Sequence, residues 1–226
     1  MVTLSPFPNA SAPVNRLPEE NAAIAASASD LEKQVRVPLG QLSVLAGPSG
    51  VGKGTLLSHL LKRHPELKVS VSATTRSPRA GEVNGQHYHF VSQAQFQSMI
   101  ENDELLEWAE FAGNRYGTPK QPIADAIARG EQIILEIELL GARQVRESLP
   151  SATQIFVLPP SEAALEERIR GRGQDSEAAI AKRLRQSKVE LAAADEFDVQ
   201  IVNDDLERAL SELEAVIFSR AGRDEV

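Results

Sequence analysis

Gln41-Leu42-Ser43-Val44-Leu45-Ala46-Gly47-Pro48-Ser49-Gly50-Val51-Gly52-Lys53-Gly54-Thr55 sets an apolar run, a glycine-rich turn and the start of a helix in immediate succession. Leu42 to Ala46 has the length and composition of a buried strand. A helix predicted from Lys53 to His64 places Leu56, Leu57, Leu60 and Leu61 on one side. Between the two, Gly47 to Thr55 has the spacing of a phosphate-binding loop in the strand–loop–helix setting that this motif requires. Glycines at 47, 50, 52 and 54 let successive N–H groups turn toward one anion, the helix adds its positive end, and the Lys53 ammonium reaches β and γ phosphates. Such a loop binds a nucleoside triphosphate through Gly47, Pro48, Ser49, Gly50, Val51, Gly52, Lys53, Gly54 and Thr55.

The general motif puts Ser or Thr directly after the lysine, whereas this chain has Gly54 there and the hydroxyl one place later, at Thr55. The usual direct magnesium ligand is therefore missing.

Beyond the loop, apolar runs at Ile133 to Ile137, Gln154 to Leu158 and Val199 to Val202 alternate with amphipathic stretches around Ala124, Leu165, Leu184 and Leu210. That rhythm predicts an α/β fold of three layers, a mostly parallel sheet with helices on both faces. It breaks between Val69 and Gly117, where β-prone stretches near Ser70 to Ala73 and Gln86 to Val91 flank the turn-like Gly81 and Asn84-Gly85. A β-rich sub-domain of about residues 70–119, inserted into a domain spanning 39–226, accounts for this. The first 38 residues hold five of the thirteen prolines and few large apolar side chains, so they read as a disordered tail. They lack the basic start and apolar stretch of a secretory signal, and no run is long enough for a membrane span.

With 226 residues, 42% of them hydrophobic, the chain can bury one sizeable core. The absence of cysteine removes disulfides, thiolate zinc sites and thiol nucleophiles, and suits a cytoplasmic setting. A formal charge of −8 argues against a nucleic-acid surface. The choice between monomer and homo-oligomer stays open.

Ser72-Ala73-Thr74-Thr75-Arg76-Ser77-Pro78-Arg79-Ala80-Gly81-Glu82, with Val83-Asn84-Gly85-Gln86-His87-Tyr88 after it, sets two guanidinium forks three residues apart in a loop, suited to a dianionic phosphate. Together with Leu106-Glu107-Trp108, Tyr116-Gly117-Thr118 and Val202-Asn203-Asp204-Asp205, it resembles the guanylate kinases over nearly everything from Leu42 to Phe218. The resemblance implies transfer of the terminal phosphoryl group of ATP to GMP, with dGMP as a further acceptor. It further implies that Arg76, Arg79, Tyr88 and Tyr116 hold the GMP phosphate and that Glu82 arranges the arginines. Loops of the Gly-Lys-Gly-Thr kind in related kinases imply that Mg²⁺ is held mainly by phosphate oxygens and water, with Thr55 on the α phosphate.

Guanine offers N1–H and N2–H₂ as donors, while O6 and N7 only accept. By resemblance the acids Glu107 and Glu138 meet the first edge and the hydroxyls of Ser72 and Thr118 the second, which would leave adenine facing unpaired carboxylates. Taken alone, Glu107 beside Trp108 reads equally as a surface acid on a strand edge. Glu136 and Glu138 end an apolar run with two acids spaced by two, on one face of a strand and near any magnesium-bound water. Most members of the family carry aspartates there, followed by Trp-Gln or Met-Gln; this chain has glutamates followed by Leu139 and Leu140.

A lid is expected over about residues 171–181. Arg168 and Arg172 lie four apart, Gly171 and Gly173 flank Arg172 as hinge points, and Arg183 follows. The resemblance makes Arg168, Arg172 and Arg183 the lid residues that meet ATP, and Asn203 a contact for adenine. No general base is required, since an ionised GMP phosphate is itself the nucleophile. A protein-interaction module of the same fold stays as an alternative, although such modules have degraded phosphate loops, and so does a kinase for AMP or a pyrimidine monophosphate.

Overall fold

The computed structural model describes residues 40–171 and 176–218. The tail expected over 1–38, together with Arg172 and Gly173, lies outside the described residues.

Five strands form an all-parallel sheet: β1 (Gln41–Ala46), β2 (Lys68–Val69), β7 (Gln132–Glu136), β8 (Thr153–Leu158) and β9 (Val199–Val202), in the order β2-β7-β1-β8-β9. Alternation along each strand sends side chains to two different cores. Leu45, Ile134, Ile155 and Val157 face α1 (Lys53–Arg63), α5 (Glu162–Arg170) and α7 (Leu206–Phe218), packing on Leu56, Leu60, Ile169 and Leu213. Leu42, Val44, Leu135 and Phe156 face α3 (Lys120–Ala128) and α4 (Leu139–Ser148), packing on Ile123, Ala142 and Val145. Burial on both faces explains why these strands read as continuous apolar runs, and each fully buried Leu or Ile contributes roughly 1.5–3 kcal/mol. The α/β three-layer architecture read from the sequence is the observed one.

The stretch expected as β-prone near Ser70 to Ala73 is divided between two sheets. Lys68 and Val69 pair with β7, and Ser70 N–H still donates to the Ile134 carbonyl at 3.0 Å. The chain then leaves, and β3 (Ala73–Thr74) joins a second sheet of order β4-β3-β6-β5, made with β4 (His89–Phe90), β5 (Leu105–Phe111) and β6 (Asn114–Pro119). Only His89 and Phe90 of the stretch expected as β-prone at 86–91 form a strand. Two-residue strands carry too little pattern to be placed by periodicity. Beneath this sheet α2 (Gln93–Glu101) starts with a capping box between Ser92 and Gln95 and inserts the fully buried Phe96 against Ala73 and Leu105.

Strand β7 ends at Glu136, so Glu138 lies beyond it as the N-cap residue of α4. The order of the main sheet sets β1 centrally, with β7 on one side and β8 on the other. The loop after β1 thus emerges at the switch point where ligands bind in open α/β sheets.

Candidate active site

The loop after β1 is held in shape by donors from distant parts of the chain. The Val51 carbonyl accepts from Asn203 Nδ2 at 2.9 Å and from Arg168 Nη1 at 3.0 Å, and Arg168 Nη2 donates to the Asn203 carbonyl at 2.9 Å. The Ser49 hydroxyl accepts from Arg183 Nη2 at 2.8 Å, an arginine on α6 (Glu177–Leu191). Gly52 has φ 106°, the left-handed region, and an added Cβ would stand 2.5 Å from Asn203 Nδ2. Glycine is required there on both counts. No side chain caps the start of α1 and its first turn carries no acid, which leaves its N-terminal N–H groups and dipole to an incoming anion. Lys53 folds back over the loop, donating to the Gly47 carbonyl at 2.6 Å and approaching that of Pro48 at 3.4 Å. Its charge opposes the desolvation that pushes the Glu136 carboxyl above its usual range, although Glu136 keeps solvent contact.

On the second sheet, Glu82 takes the Arg76 guanidinium with both oxygens, at 2.9 and 3.0 Å, and accepts the Arg79 N–H at 2.7 Å. These bonds hold the Glu82 carboxyl down at about 2. Arg76 Nη1 also donates to the Ser77 carbonyl at 2.8 Å, and its guanidinium carbon stands 5.4 Å from the Tyr88 ring centre and 5.7 Å from that of Phe90. Tyr88 and Tyr116 meet edge to face at 6.1 Å. The fork is preformed, while the Arg79 side chain is exposed.

Glu107 on β5 is 7% exposed and accepts the hydroxyl proton of the fully buried Thr118 at 2.6 Å. It is therefore not a surface acid. Burial raises its carboxyl above the ordinary value, and the bond from Thr118 opposes that rise. The strand that carries it is anchored to α4: Gln144 exchanges two 3.0 Å bonds with the Trp108 backbone, and Ser148 Oγ donates to the Leu106 carbonyl at 2.9 Å. Gly141 on the same helix lets the carboxylate lie close, since a Cβ there would meet Glu107 Oε2 at 3.0 Å.

The family model of the guanylate kinases matches residues 40–220. The chain belongs to the guanylate kinase family. The guanylate kinase of Thermosynechococcus vestitus is 65% identical over 182 residues, covering 80% of this chain and 95% of that protein. That of Synechocystis sp. is 62% identical over 178 residues, covering 79% and 93%. The crystal structure of guanylate kinase from Anaplasma phagocytophilum superposes with a TM-score of 0.64 at 30% identity, over 83% of this chain and 89% of that one.

Set against this guanylate kinase fold, the residues singled out in the sequence fall into three groups. Lys53, Arg168, Arg183 and Asn203 converge on the phosphate loop. Arg76, Arg79, Glu82, Tyr88 and Tyr116 gather on one part of the second sheet, while Glu107 and Thr118 pair side by side on β5 and β6. Two side chains expected to meet nucleotide bases have protein partners in this structure: the Thr118 hydroxyl donates to Glu107, and the Asn203 amide donates to the Val51 carbonyl from a buried position. Ser72 contributes its carbonyl, which accepts the His89 N–H at 2.9 Å. Sequence reasoning missed Gly141, Gln144 and Ser148. Their i, i+3, i+7 spacing marks one face of α4 with small and polar residues among apolar ones, and that signal was available.

Proposed function

We propose that residues 47–55 bind ATP, that the second sheet binds GMP through Arg76, Arg79, Glu82, Tyr88, Tyr116, Glu107, Thr118, Ser72 and Glu138, and that Lys53, Arg168, Arg172 and Arg183 carry the charge of transfer between them. The chain is an ATP-dependent nucleoside monophosphate kinase, and the reaction is that of its family, ATP + GMP to ADP + GDP. The observation that carries the acceptor assignment is Glu107: a buried carboxylate is costly unless partnered, and the Thr118 hydroxyl engages only one of its oxygens. Guanine's N1–H and N2–H₂ suit the other, whereas adenine presents an acceptor at N1.

In this reading an oxygen of the GMP phosphate attacks the γ phosphorus, the bond from that phosphorus to the β–γ bridging oxygen breaks, and ADP leaves with the electron pair. Arg76, held by Glu82 before GMP arrives, orients the nucleophile. Lys53 moves from the Gly47 carbonyl to the phosphates, where it balances charge on the transferring group. Among the described residues no group of three or more His, Cys, Asp or Glu could hold a metal ion. The carboxylates of Glu136 and Glu138 would suit the water shell of a hard cation held chiefly by phosphate oxygens. Mg²⁺ bound with ATP would supply charge neutralisation at the phosphates. We read the enzyme as cytoplasmic and as acting in GMP recycling, consistent with its substrates.

The test is coupled ADP release with ATP, Mg²⁺ and each of GMP, dGMP, AMP, CMP and UMP at equal concentration. Turnover confined to GMP and dGMP supports both sites. Turnover with AMP keeps the ATP loop and overturns the role of Glu107, and silence with every acceptor favours an interaction module.

A further inference from the structure

Thr74 is the last residue of β3, flanked by Phe90 of β4 on one side and Tyr116 of β6 on the other. It is fully buried, at 0% exposure. A hydroxyl in such a place is costly unless it is hydrogen-bonded, and it offers one proton and two lone pairs. Oγ1 donates to the Arg115 carbonyl at 2.9 Å and accepts the Arg76 N–H at 3.2 Å. The first bond reaches the residue directly before Tyr116. The second runs two residues forward, the short-range bond by which a threonine turns the chain at the end of a strand.

The join between β3 and β6 has further support. The Arg115 carbonyl also accepts the Thr75 N–H at 3.0 Å, and the Arg115 N–H donates to the Thr75 hydroxyl at 2.9 Å, which Gln93 Nε2 also reaches at 3.1 Å. The bond from the Arg76 N–H to Thr74 Oγ1 does something else: it fixes the main chain of an arginine whose far end is fixed separately. There Glu82 takes the guanidinium with both oxygens, and the Tyr88 and Phe90 rings lie 5.4 and 5.7 Å from its carbon. A fork held at both ends is pre-organised, and displacing either end displaces the fork.

We propose that Thr74 is a positioning residue for the acceptor: its hydroxyl sets the point at which the Arg76 main chain leaves the sheet and ties that point to the strand carrying Tyr116, so that guanidinium and phenol converge on one phosphate. Thr74 acts through Arg76 and not on the substrate itself. This inference rests on Arg76 holding the GMP phosphate.

The test compares Thr74→Val, Thr74→Ala, Thr74→Ser, Arg76→Ala and the double variant Thr74→Val with Arg76→Ala, by thermal melting and by KM for ATP and GMP separately. Valine keeps the shape without the hydroxyl, alanine removes both, and serine keeps the hydroxyl. Loss of one neutral hydrogen bond corresponds to about a fivefold loss of affinity. Thr74→Val and Thr74→Ala should therefore raise KM for GMP about fivefold and leave KM for ATP at the parental value, while Thr74→Ser stays near the parent in both. Arg76→Ala should raise KM for GMP by more, and on that background Thr74→Val should add no further rise, because the side chain it positions is gone. Parental KM for GMP in either folded variant without the hydroxyl overturns the proposal. So does an equal rise in KM for ATP, a full further rise in the double variant, or failure of both hydroxyl-free variants to fold, which makes Thr74 a residue of the sheet alone. Arg76→Ala separates the two readings: if it keeps the parental KM for GMP, the acceptor-phosphate assignment fails, whereas a large rise there beside parental values in the Thr74 variants removes Thr74 alone.

Discussion

Replacing Gly141 with alanine should separate stability from base recognition. The new Cβ would stand 3.0 Å from Glu107 Oε2, 3.3 Å from Ile137 Cδ1 and 3.4 Å from Glu107 Cδ. The carboxylate must retreat by a few tenths of an ångström, and its 2.6 Å bond to Thr118 limits the directions open to it. Alanine in place of glycine in a helix gains about 1 kcal/mol, while overpacking costs about 1–3 kcal/mol. The net is a loss of about 0–2 kcal/mol, or at most roughly 8 °C in Tm for a domain of this size. Recognition has no such offset. A hydrogen bond to a charged group contributes about 1.5–3 kcal/mol, and misplacing its acceptor forfeits about 1 kcal/mol of that, a fivefold rise in KM for GMP. ATP should bind as before, because the phosphate loop is untouched. Steady-state kinetics with each substrate varied in turn, alongside a melting curve, reads both quantities. A GMP KM equal to that of the parent would refute the reasoning, and so would a parallel rise for ATP, which signals general loosening.

Glu107→Gln should raise KM for GMP at least tenfold, since a buried acceptor is exchanged for a donor. The raised carboxyl of Glu107 favours the folded state fully only below its ordinary value, and that contribution is lost as pH rises through the raised one. Melting at about pH 4 and about pH 8 should therefore show the variant gaining on the parent at the higher pH; an identical gap at both overturns the burial argument. For Glu82 the sign is opposite: its carboxyl is depressed to about 2, so its contribution is present above the ordinary value of 4.5 and fades as pH falls toward about 2. Glu82→Gln should raise KM for GMP, and its stability deficit should shrink over that acid range; a deficit that is constant with pH would count against the ion pair. Ala112 sits at φ 50° in the tight turn between β5 and β6, a conformation that costs a non-glycine residue about 1 kcal/mol. Ala112→Gly should raise Tm by about 2–4 °C with unchanged kinetics, and a lower Tm contradicts the strain.

What could be read from the sequence was what is locally determined. The phosphate loop was legible because its glycines, Lys53 and the flanking strand and helix are contiguous, and the main sheet because burial on both faces writes unbroken apolar runs. The division of residues 68–74 between two sheets was not, since strands of two residues have no period. Nor did the sequence tell what Asn203 and Thr118 would do with their polar groups. Both turn to partners fixed only by tertiary packing, the Val51 carbonyl and the Glu107 carboxylate.

The meeting of Gly52 with Asn203 also bears on how this gene can be recombined. Any side chain at 52 strikes the Asn203 amide, and trimming Asn203 to make room withdraws one of the two donors from the Val51 carbonyl. The pair therefore behaves as a single inherited unit encoded far apart. A shuffled library with a crossover between them will yield working chimeras only where both parents already agree on this contact, however similar they are elsewhere.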